Sequence, residues 1–277
     1  MMSARYRRLA GLIPLGALLA LALTVQATTD TRRVTFRIPI APLVLGVDAL
    51  PLMTPEGAVR RVALVLREDL RLPLPAELTL RLYATPKLFE KGLIEDGGVA
   101  PPIAATLGGF AVGASFQDSL FLLEPEVRRG AREWMRLVAH EMTHVSQAQL
   151  AGGSGRASQW MAEGMADWAS YRVLDRLGLA QMNVERDERL AGLPPAIDLS
   201  GLDDPRGFFE RSQRDGVSTT YGVSFMVADR LIDRYGFDRM RQYFTAFEHE
   251  RDRALNFRTV FGESADVFVH TQKGPEP

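Results

Sequence analysis

Beyond Pro125 the hydrophobic pattern of this chain changes to helical spacing and hardly leaves it. Upstream, apolar residues alternate at strand spacing over residues 77–85. Downstream, apolar stripes recur at helical spacing over residues 131–150, 157–178, 218–235 and 237–248. Strands followed by helices are typical of α+β proteins. We therefore predict a small, mostly antiparallel sheet lobe with a helix over residues 34–124 and a mainly helical lobe over residues 125–277.

Local signals predict the elements of the first lobe. Thr54 followed by Pro55 favours a helix start, and apolar residues continue at helical spacing to residue 70. A short helix is expected after Pro86, which ends the strand pattern. Residues 104–124 alternate again, with a turn at Gln117 and Asp118, and predict a hairpin.

The composition removes several classes of function. The chain has 277 residues, no cysteine and a net charge of −1. The absence of cysteine excludes a disulfide framework, a Cys-ligated zinc site and a thiol nucleophile. The charge gives no case for binding nucleic acid, which depends on many Lys and Arg contacts to phosphate. Any metal in this protein must therefore be held by His and carboxylate side chains.

The first 27 residues follow a different pattern from the rest. Arg5, Arg7 and Arg8 precede an apolar run, and small residues at Val25 and Ala27 have the spacing of a cleavage site. This pattern predicts a signal peptide and export to the periplasm or the extracellular space. The alternative is an uncleaved anchor, because residues 9–27 nearly reach the about 20 residues of a membrane span. Residues 28–277 then form a single domain.

The residues with the clearest chemistry are His140, Glu141 and His144, an HExxH pattern inside a predicted helix. Residues four apart on a helix have Cβ atoms about 5 to 6 Å apart, so both imidazoles can reach one ion. Glu141 lies beside His140 around the helix axis, where its carboxylate can take a proton from water at the metal. Glu141 is therefore the candidate general base.

The next helical segment supplies a candidate third ligand. A catalytic zinc ion usually has three protein ligands, and here the third must be His, Asp or Glu. Glu163 follows His144 after a Gly-rich loop, so that an antiparallel helix can return its carboxylate to the two imidazoles. Asp167 lies one turn further along the same face and could accept a hydrogen bond from the second nitrogen of a ligand imidazole.

Together these residues resemble the gluzincin zinc metallopeptidases (peptidase MA clan), and most closely the small, secreted bacterial peptidase-MA-like domains. The resemblance implies one zinc ion held by His140, His144 and Glu163, with Glu141 as the base and Asp167 behind a ligand. It also implies a thermolysin-like catalytic domain with the zinc cleft between the two lobes. The chain has no counterpart of the Gly-x-Met-Glu-Asn signature of the aminopeptidase branch.

The resemblance further implies an oxyanion donor and a substrate-binding edge strand. Tyr221, near the start of the helical stripe at residues 218–235, has the position of the family's donor, and His249 is the alternative. Residues 108–115 have the position of the edge strand that pairs with an extended substrate. The corresponding substrate-binding candidates are Gly109, Phe110, Ala111 and Val112.

The expected function is an exported zinc metallopeptidase acting on a peptide or protein substrate. Its only expected contact with a membrane is through residues 9–27, if they are uncleaved. Two alternatives stay open: a noncatalytic zinc-binding or interaction module, and a membrane-tethered envelope protein. The sequence leaves the substrate, the endo- or exopeptidase character and the oligomeric state open.

Overall fold

The computed structural model of the chain describes residues 33–40, 50–193 and 197–271. The predicted signal peptide lies outside these residues. Among the described residues, no helix is both long and apolar enough to cross a membrane. Helices predominate, and one small mixed sheet lies near the N-terminal side, so the predicted α+β class is confirmed.

The elements of the first lobe alternate strands with short helices. In chain order they are β1 (Arg33–Pro39), α1 (Pro55–Glu68), β2 (Glu77–Tyr83), α2 (Pro86–Glu95), α3 (Pro101–Phe110), β3 (Gly113–Phe116) and β4 (Ser119–Leu123).

Helices are the only regular elements among the described residues of the second lobe. Its elements are α4 (Glu124–Val127), α5 (Ala131–Ala151), α6 (Gln159–Arg176), α7 (Met182–Leu190), α8 (Pro205–Asp215), α9 (Val217–Tyr235), α10 (Phe237–Ala246), α11 (Arg253–Phe261) and α12 (Ala265–Thr271).

The described strands form one sheet in the order β1-β2-β4-β3. β1 pairs with β2 and β3 pairs with β4 in antiparallel fashion, whereas β2 and β4 are parallel, with Leu80 opposite Leu120. The parallel pair requires a crossover connection, which α2 and α3 supply together with β3. β3 is left at the edge of the sheet, and this edge packs against α5.

The predicted helix starts of this lobe are confirmed. The Thr54 side chain accepts a hydrogen bond from Gly57 N at 3.1 Å, and Pro55 occupies the first turn. Thr85 caps α2 in the same way, through Leu88 N at 3.2 Å. Each cap satisfies one backbone N–H that has no partner within the helix.

The predicted hairpin over residues 104–124 is wrong in its first half. Residues 101–110 form α3, which begins with two prolines at positions where a helix tolerates them. Ala104 is buried within a small cluster that Leu107 also contacts, and this pair has helical spacing. The strand β3 is therefore limited to Gly113–Phe116, although the turn at Gln117 and Asp118 is as predicted.

The helical stripes after Pro125 correspond to α5, α6, α9 and α10. In α5, Met135, Val138, Met142 and Val145 are all buried in the main core, on the stripe that their spacing predicts. α5 packs along α6, and α6 also packs on α9. The long helices that carry the candidate residues are therefore fixed by a continuous apolar core.

Gly164 allows α6 and α9 to approach closely. A Cβ atom at this position would lie 2.2 Å from Ser224 O and 2.7 Å from Ala228 Cβ. These distances are far shorter than an ordinary van der Waals contact. This close packing on α9 fixes the position of α6 and therefore that of the neighbouring Glu163.

Candidate metal centre

α5 and α6 bring three potential ligand atoms together. His140 Nε2 lies 3.2 Å from His144 Nε2 and 3.1 Å from Glu163 Oε2, and the third distance, His144 Nε2 to Glu163 Oε2, is 3.5 Å. Two atoms bound tetrahedrally to one zinc ion at about 2.0 to 2.1 Å would be about 3.3 Å apart. The spacing of the three atoms therefore fits one ion.

The hydrogen bonds of the two imidazoles point to the same conclusion. His140 Nδ1 lies 3.0 Å from Asp167 Oδ1, and His144 Nδ1 lies 2.8 Å from Gln147 Oε1. When each Nδ1 donates its proton to these acceptors, each neutral imidazole has a lone pair at Nε2. Two lone pairs that face each other beside a carboxylate can bind one cation, and this donor set is the kind that zinc prefers.

Two glutamines hold the candidate ligands His144 and Glu163 in place. Gln147 Nε2 donates to Ala162 O at 2.9 Å, which fixes the amide orientation that accepts from His144. Gln159 Nε2 donates to Glu163 Oε1 at 2.7 Å, so the other carboxylate oxygen faces the imidazoles. These residues were not identified from the sequence, although each lies one helical turn from a ligand.

Asp167 is almost fully buried and is surrounded by cations. Besides His140, it accepts a hydrogen bond from Arg189 Nη2 at 2.7 Å, and Arg136 Nη1 lies 3.6 Å from its Oδ1. Burial acts to raise the pKa of Asp167, but His140 and Arg189 lower it to about 2. Asp167 is therefore ionised at neutral pH and attracts the Nδ1 proton of His140.

The charges of His140, His144 and Glu163 are strongly coupled in the metal-free protein. Burial acts to lower the pKa of His140, but the hydrogen bonds to Asp167 and Glu163 outweigh it and raise the pKa to about 10. Burial acts in the opposite sense on Glu163, yet His144 and His140 hold its pKa far below the ordinary value. A metal ion would compete with the proton that the raised pKa keeps on His140.

The Glu141 side chain extends from α5 toward the edge strand β3. Its carboxylate is buried, and burial raises its pKa although His140 and His144 act against the shift. A Cβ atom at Gly113 on β3 would lie 2.7 Å from Glu141 Oε1. The absence of a side chain at Gly113 therefore makes room for the Glu141 carboxylate.

Tyr221 lies next to the candidate ligand His140, whereas His249 does not. The Tyr221 ring is 6.3 Å from the His140 ring and packs edge-on against Phe208 at 5.1 Å. Burial, together with Glu163 and Asp167, raises the pKa of Tyr221 well above 10, so its hydroxyl stays protonated. His249 is exposed in the turn after α10 and does not line the cleft.

A cleft of about 670 Å³ opens beside this group. His140, Glu141 and Tyr221 line it on one side, and α7 with the residues after it lines another. Of the predicted substrate-binding residues, Phe110, Ala111 and Val112 reach the cleft, but Gly109 is exposed on α3 and does not. The assignment of Gly109 and Phe110 to an edge strand is wrong, because both belong to α3.

Arg136 and Arg189 also line the cleft and were missed in the sequence. Arg136 precedes His140 by one turn of α5, a signal that the spacing contained. Arg189 comes from α7, which has no strong apolar pattern, so no sequence signal placed it near Asp167.

No family model, no curated protein and no solved structure matches this chain.

Proposed function

We propose that this protein is a zinc-dependent peptide hydrolase of the gluzincin type. The observation that carries the proposal is the convergence of His140 Nε2, His144 Nε2 and Glu163 Oε2 within 3.1 to 3.5 Å of one another, beside Glu141 and an open cleft. The three residues would hold the zinc ion. The small sheet whose edge strand lies against α5 supports extending the proposal to a thermolysin-like arrangement of the catalytic domain.

Glu141 is the general base of the proposed reaction. A bound zinc ion supplies polarisation of the scissile carbonyl and lowers the pKa of water toward about 7. Glu141 takes a proton from the attacking water and then gives it to the amine of the leaving product, as the C–N bond breaks. Burial raises the pKa of Glu141 and so moves it toward the working pH, where a carboxylate accepts and returns a proton best.

Tyr221 donates a hydrogen bond to the oxyanion that forms when water adds to the carbonyl. Its protonated hydroxyl and its place in the cleft wall support this role. Such a donor is typically worth about 3 to 4 kcal/mol of transition-state stabilisation. Residues 111 and 112, between α3 and the edge strand, and Gly113 at the start of that strand would contact the extended substrate backbone.

Two measurements test the proposal together. Elemental analysis of the purified protein is expected to give one zinc ion per chain and a marked loss in Glu163→Ala. Peptide-library digestion is expected to show cleavage by the wild type and none by Glu141→Gln, which keeps its zinc. Wild-type cleavage by Glu141→Gln would disprove the mechanism. A folded wild type that takes up no zinc would disprove the metal centre and favour the interaction-module alternative.

Export through residues 1–27 is part of the same proposal. N-terminal sequencing of the mature protein tests it, with cleavage after Ala27 as the expected result. An intact N-terminus in the mature protein would favour the anchored alternative.

A further inference from the structure

The cleft extends from the candidate metal centre along the N-terminal half of α5. From His140 back to Arg132, a helix rises by about 12 Å. An extended peptide covers about 3.3 Å per residue, so this length holds about three to four residues. The cleft volume is in the range of small-ligand sites, which is about 300 to 1,000 Å³. The α5 residues along it are Arg132, Glu133, Arg136, Leu137, His140 and Glu141.

Several charged side chains line this part of the cleft, and two of them, Arg132 and Glu185, are engaged with each other. Glu185 on α7 is buried and accepts three hydrogen bonds from Arg132, through Nε and Nη2. The remaining Arg132 nitrogen, Nη1, donates to Glu133. Arg132 therefore donates through four of its five N–H groups, and the one that remains cannot form two parallel hydrogen bonds to a carboxylate.

Arg136 and Arg189 differ from Arg132 because each keeps more unused donors. Arg136 donates through Nε to Glu133 at 3.3 Å, and its Nη2 donates no hydrogen bond to any described residue. Arg189 donates through Nη2 to Asp167, while its Nε is buried without a partner among the described residues. A guanidinium with free donors binds a carboxylate strongly, often through two parallel hydrogen bonds.

We propose that Arg136, supported by Arg189, binds a carboxylate of the substrate. The inference rests on the proposed function and names its substrate class: peptides with a carboxylate close to the scissile bond. Arg136 lies one helical turn from His140, about 6 Å along the axis, so the carboxylate is about one or two residues from the bond that is cleaved. Its source is the C-terminal carboxylate or an Asp or Glu side chain.

Calorimetry with zinc-loaded Glu141→Gln measures this recognition without turnover. The probes are an N-acetylated alanine-rich tetrapeptide with a free C-terminal carboxylate, its C-terminal amide, and the amide with one internal Glu or Gln. The free acid, or the Glu amide, is expected to bind about 10- to 100-fold more tightly than its neutral partner. The first result identifies a C-terminal carboxylate, and the second identifies an acidic side chain.

Variants of Arg136 assign the recognition to this residue. Arg136→Gln in the same background is expected to remove the discrimination, and Arg136→Lys to keep part of it. Arg128→Gln is the matched control, because Arg128 is highly exposed and does not line the cleft. Thermal melts and zinc content establish that each variant is folded.

Equal binding of charged and neutral peptides by the parent protein would overturn the inference, and so would discrimination that survives Arg136→Gln. Tighter binding of the neutral peptides would also overturn it and would point to repulsion by Glu133 and Glu188, which line the same cleft. If the proposed function is wrong but the carboxylate is recognised, the two experiments give different answers. The wild type would then cleave none of the peptides, while the difference in binding persists.

Discussion

Asp167 Oδ1 on α6 lies 3.0 Å from Nδ1 of His140, a candidate metal ligand on α5, and this contact connects the two helices. In the neutral imidazole this contact holds the proton on Nδ1 and leaves the lone pair of Nε2 toward His144 and Glu163. The same carboxylate accepts from Arg189, so α7 is connected to the ligand group through one buried side chain.

The Asp167→Asn variant is expected to bind zinc about 10- to 100-fold more weakly, because the amide lacks the charge that strengthens the His140 ligand. Competition with a chromogenic chelator measures the affinity. Asp187→Asn is the control, since Asp187 is exposed on α7, and it should leave the affinity unchanged. Equal affinities of the two variants would contradict this role of Asp167.

Gly164→Ala is expected to lower the free energy of unfolding by about 1 to 3 kcal/mol or more, because its Cβ would overlap Ser224 O. Gly109→Ala on α3 is the matched control, since a Cβ there has nothing within 4 Å. In a helix that substitution should be neutral or stabilise by up to about 1 kcal/mol. Urea denaturation measures both variants, and similar midpoints would show that α6 and α9 can separate at little cost.

The metal-free protein is expected to lose stability as the pH rises from about 6.5 to about 10. The pKa of His140 is about 10 in the folded state, above the ordinary value of 6.5, so the folded state binds a proton that the unfolded chain releases. This contribution is complete below pH 6.5 and is lost as the pH passes through 10. Urea denaturation at a series of pH values, with a chelator present, measures it. A His140→Gln variant should have a smaller slope, while Glu163 still raises the pKa of His144 and keeps part of it. An unchanged slope would contradict the assignment to His140.

Tyr221→Phe is expected to lower kcat by about 10²- to 10³-fold with little change in KM, because the hydroxyl acts on the oxyanion rather than on the bound substrate. The zinc content should stay at the wild-type level. Tyr235→Phe is the control on the same helix, since the Tyr235 hydroxyl contacts Glu263 rather than the cleft. Equal kcat values for Tyr221→Phe and the wild type would remove Tyr221 from the mechanism.

The sequence by itself predicted the parts of this protein that depend on spacing within one segment. The separation of His140 and His144 places both imidazoles on one side of a helix whatever that helix packs against, because the 3.6-residue period is a local property. The Thr54 cap and the apolar stripe of α5 follow from local signals in the same way. The return of Glu163 to the imidazoles was also predicted, because a short connection between two helices favours antiparallel neighbours.

The tertiary structure decided what joins segments that are distant in the chain. Residues 104–110 fit both periods, and their helical packing against α2 excluded the predicted strand. The parallel pairing of β2 with β4 and the recruitment of Arg189 from α7 left no local pattern in the sequence. Such contacts depend on the packing of the whole core, because each one forms only after the elements on both sides are in place.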